Sequence, residues 1–388
     1  MAIHPAYAQV SALLVAVFIL IAGNGLSNTL VPLSATAQSF PPLSIGFIGS
    51  AYFGGMLIGC LAAPRIIARA GHIRAFSAFV AISTVAALMH PMFIDPISWC
   101  AIRAVTGFCF AGLYAAIESW MHDKADNVVR GQVLALYQIV HYAGGATGQQ
   151  AIRFITPTSF VPFSIVACAL ALSVLPLAYT RSDPPEPPPV PRLRLAWLFR
   201  ISPVGMVGSL VCGIANGTFW ALAPVFAERS GLSAGGVASF MTAAIIGGAL
   251  VQWPVGRIAD RGDRRHIMLA AIALAVAAQA ALVWYAQSEP YVLIGLAALV
   301  GASALVLYPL ASSHTQDLGG RENAVEVSTG LLLTYTIGAI VGPTTAAWLM
   351  EWIGPQALFI HNGAVHLIFI VYIVWRLFRR PSRAEPKP

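Results

Sequence analysis

GRIADRGDRR, Gly256–Arg265, and PRIIARAGHIR, Pro64–Arg74, are two degenerate copies of one short basic turn, about 192 residues apart. Each copy joins two long apolar segments. A charged turn that recurs half a chain later in the same setting points to a membrane protein built from two similar halves.

The segments around those turns set the class. The chain has 388 residues, of which 58% are hydrophobic and only 10% charged, where a soluble domain carries about 25% charged residues. Its mean hydropathy of +0.76 belongs to a membrane protein. A span needs about 20 apolar residues. Twelve such runs are predicted, at 10–33, 43–63, 74–94, 98–121, 130–154, 160–179, 203–226, 236–257, 266–286, 291–313, 324–350 and 355–377. Continuous runs exclude a β-barrel, whose strands alternate, and the short gaps exclude a long soluble domain. The expected fold is an all-α polytopic membrane protein with twelve transmembrane helices in two pseudo-symmetric six-helix bundles.

A net charge of +7 and a pI near 9.4 raise the question of nucleic acid. The placement of the charge answers it. With both termini cytoplasmic, 19 of the 22 Lys and Arg fall in cytoplasmic loops, the linker or the C-terminal tail. This is the positive-inside bias. It implies a multi-pass protein of the cell inner (plasma) membrane, with basic loops facing anionic lipids and no nucleic-acid partner. Arg153 and Arg229 are exceptions outside the spans, and Arg103 lies within one.

One boundary is plain. Thr180–Ser202 contains SDPPEPPPVPRLR, whose prolines from Pro184 to Pro191 cannot form a membrane helix. The expected domains are an N-terminal bundle at 1–180, a cytoplasmic linker at 181–202, a C-terminal bundle at 203–377 and a basic tail at 378–388. A peptide-docking role for the prolines is the rival to a simple spacer. Cys60, Cys100, Cys109, Cys168 and Cys212 all fall in or beside apolar spans with no CxxC, so they read as packing residues. No metal or cofactor site is expected. The first apolar run has no basic residue before it and is read as a retained span.

Three further anchors repeat in order. Leu113-Tyr114 matches Leu307-Tyr308 at an offset of 194 residues, and Tyr137 matches Tyr335 at 198. Gly144, Gly145 and Gly148 answer to Gly338, Gly342 and Pro343. Two parallel repeats of this size are a known transporter plan.

The layout resembles the major facilitator superfamily over the whole chain. The superfamily's loop signature is G-x-x-x-D-R-x-G-R-R. The second copy keeps Gly256, Asp260, Arg261, Arg264 and Arg265, with Asp263 where Gly is usual. The first keeps Arg69, Gly71 and Arg74 but has Pro64 for the Gly and Ala68 for the Asp. Arg103-x-x-x-Gly107 resembles the helix-4 motif, and Glu118 with Arg130-Gly131 resembles the acid closing helix 4 and the pair opening helix 5. YAAIESW and LYPLASSH resemble the uncharacterised YcaD-like branch.

The resemblance implies cytoplasmic gates built from Arg65, Arg69, Glu118, Arg130, Asp260, Arg261 and Arg264. Such charge-assisted bonds hold a face closed until they break. The first half keeps Glu118 but lacks the motif Asp, while the second keeps Asp260 but has Ser312 where Glu118 would align. Two incomplete gates are expected; the alternative is that these charges only anchor loops at headgroups.

The resemblance also implies a central cavity lined by helices 1, 7 and 10, and residue polarity adds candidates on helices 4 and 5. Asn24 and Asn28 share one face of helix 1, and Asn216 and Trp220 one face of helix 7. Arg103 is costly inside a membrane and belongs in a cavity unless it snorkels. On helix 5, Gln138, Tyr142, Gly145 and Gln149 form one stripe, with His141 on the adjoining one. Gln138, His141 and, on helix 10, Tyr308 complete the candidate set, each weighed against plain interhelical bonding. None of the fifteen Asp and Glu lies near a midplane, so any coupled proton falls to Glu118, His141, His361 or His366.

Enzyme motifs are nearly silent. Gly231-Leu232-Ser233-Ala234-Gly235 matches GxSxG, but it opens a helix, where Ser233 reads as an N-cap. The chain is thus expected to be no enzyme. It is expected to be a secondary active transporter that works as a monomer on one small polar or amphipathic solute. A neutral or anionic metabolite is favoured, since Arg103 disfavours cations, and protons are a second candidate partner. A proton-coupled drug exporter is the alternative, and a non-transporting sensor or scaffold is the alternative of another class.

Overall fold

An apolar run in lipid must satisfy its own amides, and a helix does so. The computed structural model describes residues 5–124, 130–178 and 194–379, and among these residues there are helices and no strand. The first half runs α1 (Pro5–Ala37), α2 (Pro42–Ala70), α3 (His72–Met89), α4 (Pro96–Lys124) and α5 (Arg130–Ala151), then a 3-10 turn at Ile152–Phe154. It ends in α6 (Val161–Leu172), continued by α7 (Leu175–Ala178). The second half runs α8 (Leu195–Ile201), α9 (Pro203–Arg229), α10 (Ala234–Ala259) and α11 (Arg264–Trp284). It closes with α12 (Pro290–Ala304) continued by α13 (Leu307–Gly319), then α14 (Ala324–Ile353) and α15 (Ala357–Arg379).

Eleven crossings are long and apolar enough to span a bilayer, with α6–α7 and α12–α13 each making one. The twelfth, α5, is diluted by Gln138, His141, Tyr142, Gln149 and Gln150. Its length still matches a span, and it packs against α1 inside the bundle.

Helix ends follow local chemistry. The third run is expected to reach residue 94, but α3 stops at Met89, ahead of Pro91. The fourth crossing then begins at Asp95, which accepts from the Ser98 amide at 2.8 Å. Bonds from the Ser98 side chain and backbone hold the Asp95 carboxyl below its usual range. Ser233 caps α10 as expected, accepting from the Gly236 amide at 3.3 Å. Asp263, the departure from the loop signature, caps α11 by accepting from the Arg265 amide at 2.9 Å. The linker is not extended throughout. Its prolines lie outside the described residues, but α8 occupies its end, with Leu198 buried against Met206, Val327 and Leu331. Arg194 anchors it to Asn323 at 2.9 Å and to Glu326.

The halves repeat each other's packing. α1 lies on α5 as α9 lies on α14, α2 on α4 as α10 on α12, and α3 on α6 as α11 on α15. Glycines fix the register. A Cβ on Gly107 would run into the Tyr52 carbonyl oxygen, and one on Gly301, 194 residues on, would meet that of Ala244. Gly148 stands against Ala22 as Gly342 stands against Ile214. This register corrects the expected repeat by one turn: Tyr335 is the counterpart of His141, at the same 194-residue offset, and not of Tyr137.

The core is asymmetric along the molecule. One continuous cluster fills the first half and extends into the second through Phe226 of α9, Phe240 of α10, Leu282 of α11, Met350 of α14 and Phe359 of α15. All these lie at the end away from the two signature loops. At the loop end the second half keeps a separate cluster around Val211, Met268, Leu310 and Phe369. The two halves are therefore fused at one end, here the sealed end, and distinct at the other, the motif end. Exposed Leu250, Trp284, Trp352 and Ile368 give the outer faces an apolar skin suited to lipid.

Candidate functional site

A cavity of about 360 Å³ lies between the halves. Kinships of sequence put polar groups on one wall. Asn24 and Asn28 come from α1, Tyr52 from α2, Arg103 and Tyr114 from α4, and His141, Tyr142 and Gln149 from α5. The facing wall is Trp220, Ala221, Ile245, Leu305, Leu332 and Tyr335. Among the described residues the lining holds one charge, Arg103, and no carboxylate.

Arg103 does not snorkel; it is 6% exposed. Its Nη2 donates to Asn28 Oδ1 at 3.0 Å, and its Cζ sits 4.3 Å from the centre of the Tyr52 ring. Nε and Nη1 are buried without a partner. Asn24 donates from Nδ2 to the Tyr114 hydroxyl at 3.4 Å, leaving its Oδ1 buried and unbonded. A guanidinium held on two sides and open on its remaining donors is an incompletely neutralised cation in a low-dielectric wall.

Of the eight residues expected in the cavity, Asn24, Asn28, Arg103, His141 and Trp220 line it. Three do not. Gln138 belongs to the right stripe, but the lining begins one turn further along α5, at His141 and Tyr142. Tyr308 stacks edge-on behind Tyr335, ring centres 5.0 Å apart. Asn216 lines a separate space of about 10 Å³ inside the second half, beside His366, Gln279 and Asn362. There the Gln279 amide lies 3.1 Å from His366 Nδ1, and Asn362 donates to the Ala215 carbonyl at 3.0 Å. Tyr52, Tyr114 and Tyr335 also line the cavity and were not in the candidate set; Tyr142 and Gln149 line it too, and belong to the helix-5 stripe from which only Gln138 and His141 were singled out.

The sealed end is closed by bonds between halves. Ser50 and Thr344 hydroxyls meet at 2.7 Å, Gln150 donates to Thr242 at 2.8 Å, and the Leu43 amide donates to Glu351 at 3.1 Å. Arg153 of the 3-10 turn donates to the Ser239 hydroxyl. Beyond the seal, toward the motif half of α10, Tyr142 also donates across the halves to Gln252 at 2.7 Å.

At the signature loops, the ion pairs run within one half. Arg264 binds Asp260 and Asp317, each at 2.9 Å. The acid expected at Ser312 thus comes from Asp317, five residues on, where α13 reaches the loop. Arg265 binds Asp263 at 2.7 Å. Partial burial raises the Asp263 carboxyl, but the Arg265 bonds outweigh it and hold it below its usual range. In the first half His72 Nε2 lies 3.0 Å from the Ser119 hydroxyl, standing where Arg264 stands in the second. Arg65 turns back to the Leu61 carbonyl at 3.2 Å. Arg69, Glu118 and Arg261 enter no ion pair among the described residues, and the side chain of Arg130 lies outside them.

Twelve crossings in two repeated halves around a central cavity define a secondary-transporter fold. The chain belongs to the major facilitator superfamily: a profile described as Major Facilitator Superfamily matches residues 13–239 and 205–388. The uncharacterized MFS-type transporter YcaD of Escherichia fergusonii is 27% identical over 349 residues, 89% of this chain and 90% of that one. A crystal structure of the nucleoside transporter NupG superposes with a TM-score of 0.79 at 14% identity, covering 95% of this chain and 98% of that one. A bacterial homologue of the human lysosomal transporter Spinster gives 0.70 at 15%, covering 99% and 100%.

Proposed function

We propose that this protein moves one small polar or amphipathic solute, neutral or anionic, across the bacterial inner membrane by alternating access. The observation that carries the reading is the asymmetric core: the halves share one core at the sealed end and separate at the motif end, around a cavity that spans both. The positive-inside bias supports a cytoplasmic motif end and cytoplasmic termini, and with them the reading of this structure as an inward-open form. The proposal keeps the domain limits at 180, 202 and 377, although α15 runs two residues past the last of them, to Arg379. The lining without a carboxylate supports a neutral or anionic solute over the cation expected of a drug exporter. Asp260, Arg264 and Asp317 act as a brace on the cytoplasmic rim of the second half. Arg65, Arg69, Glu118, Arg130 and Arg261 remain gate candidates for the form in which that rim closes.

The test is labelling from both sides. In a chain whose native cysteines are replaced, Leu332→Cys in the cavity should react with an impermeant maleimide from the cytoplasmic side. It should also react, more slowly, from the outside as the protein turns over. Ser50→Cys in the outer seal should be protected while the inner face is open. Reaction of Leu332→Cys from one side alone would end the alternating-access reading and leave a sensor or scaffold. Tags at the C-terminus and within Pro184–Pro191 should both report cytoplasm; a periplasmic report from either breaks the orientation.

A further inference from the structure

The cavity is chemically polarised, and the polarity specifies more than a neutral or anionic solute. Its single charge among the described lining residues, Arg103, lies two turns into α4 from the sealed end, beside Asn28 of α1 and Tyr52 of α2. Two of its nitrogens have no partner. The rest of the wall is dominated by apolar and aromatic side chains, among them Phe53, Met56, Trp220, Ile245, Leu305 and Leu332. One anionic group would complete the hydrogen bonding of Arg103. A second charge on the same solute would find no cation among the described lining residues and would lose its hydration against hydrocarbon. The volume, about 360 Å³, admits a body well beyond a bare acetate.

We infer that the solute is an amphipathic monocarboxylate, its carboxylate on Arg103 and its apolar or aromatic body against Trp220 and the α14 wall. This rests on the transporter reading for the site's purpose, but it concerns recognition alone. The carboxylate enters first from the motif end and reaches Arg103 at the deep, sealed end. Its body remains nearer the opening, against Leu332 and Tyr335, both in the first half of α14 counted from the motif end. Asn28 acts as a positioning residue: it holds one edge of the guanidinium and leaves the other donors for the ligand.

The experiment measures thermal stabilisation and calorimetric binding on the purified full-length protein. The probes are saturated and phenyl-substituted monocarboxylates from three to ten carbons, with 3-phenylpropionamide, 3-phenylpropylammonium and phenylsuccinate as matched controls. Monocarboxylates should stabilise, better as the body grows. The amide and the dicarboxylate should bind at least about tenfold more weakly, the scale of one charged hydrogen bond, and the ammonium not at all. Arg103→Gln should remove the difference between carboxylate and amide, and Trp220→Ala should flatten the dependence on body size. Should Arg103→Gln fail to fold, the carboxylate–amide comparison on the unaltered protein decides alone. Equal binding of amide and carboxylate, preference for the dicarboxylate or the ammonium, or no stabilisation by any monocarboxylate overturns the inference. Cysteine labelling that reports both faces while these ligands fail leaves transport standing and removes only the ligand class. Monocarboxylate binding without two-sided labelling makes the protein a receptor instead.

Discussion

The same place in the two halves carries opposite chemistry. In the first, Gly107 packs on Tyr52, and one turn before it on the same helix Arg103 lies over the Tyr52 ring. In the second, Gly301 packs on Ala244, and Ala297 takes the place of Arg103. The backbones meet in the same register while a cation on an aromatic ring becomes two alanines. Duplication preserved what holds helices together, and the polar equipment of the cavity was kept on one side. The signature loops differ in the same way. Arg264 makes two ion pairs where His72 makes a hydrogen bond to Ser119.

The most severe test of that shared register is Gly107→Leu beside Gly301→Leu. Each should abolish recovery of monodisperse protein in detergent, since neither backbone contact has room for a side chain. Tolerance of one and not the other would show that the halves are not equivalent scaffolds. Next in size, Arg103→Ala should slow solute flux in proteoliposomes at least about tenfold, while Ala297→Ser should change it less than twofold. Similar effects at both positions would dissolve the claim of a one-sided cavity. A smaller contrast lies at the loops. Asp260 and Asp317 are 65% and 48% exposed, so Arg264→Ala should cost no more than about 1 kcal/mol of stability. It should nevertheless alter the balance of inward- and outward-accessible labelling, whereas unchanged labelling reduces the ion pairs to loop anchors. Smallest, Asp263→Ala should remove the α11 cap and lower stability by about 1 kcal/mol in thermal unfolding. Because the Asp263 carboxyl is depressed, its contribution is full above its ordinary value and fades as pH falls through the lower folded value; a loss on raising pH instead would contradict the assignment.

The twelve crossings, the cap at Ser233 and the repeat were legible because each rests on a local pattern: apolar length, a hydroxyl before a helix, or residues at fixed offset. Arg103 stood out because a lone charge in a span demands an explanation. What escaped depends on depth and neighbours. Gln138 shares a helix face with Tyr142, yet one turn decides whether that face meets the cavity. The Tyr137–Tyr335 match failed because identical residue type outweighed the glycine spacing, which obeys backbone contact and is the stricter ruler. Asp317 was missed because the partner of Arg264 is set by where α13 ends, and an alignment to Glu118 cannot see that. Which end of the molecule is closed depends on contacts between halves that leave no periodic trace in either.

The bonds that close the sealed end have a consequence for how the protein responds to its surroundings. Its bonds join hydroxyls, amides and a backbone N–H; Arg153 meets a hydroxyl, and Glu351 accepts from an amide. No two opposite charges face each other across that seam in the bonds described. Ionic strength acts on pairs of exposed charges and leaves neutral hydrogen bonds nearly untouched. In the orientation proposed above the sealed end faces outward, and a closure made this way keeps its strength as the outside salinity changes. The ion pairs sit instead at the motif end, which that proposed orientation turns toward the cytoplasm.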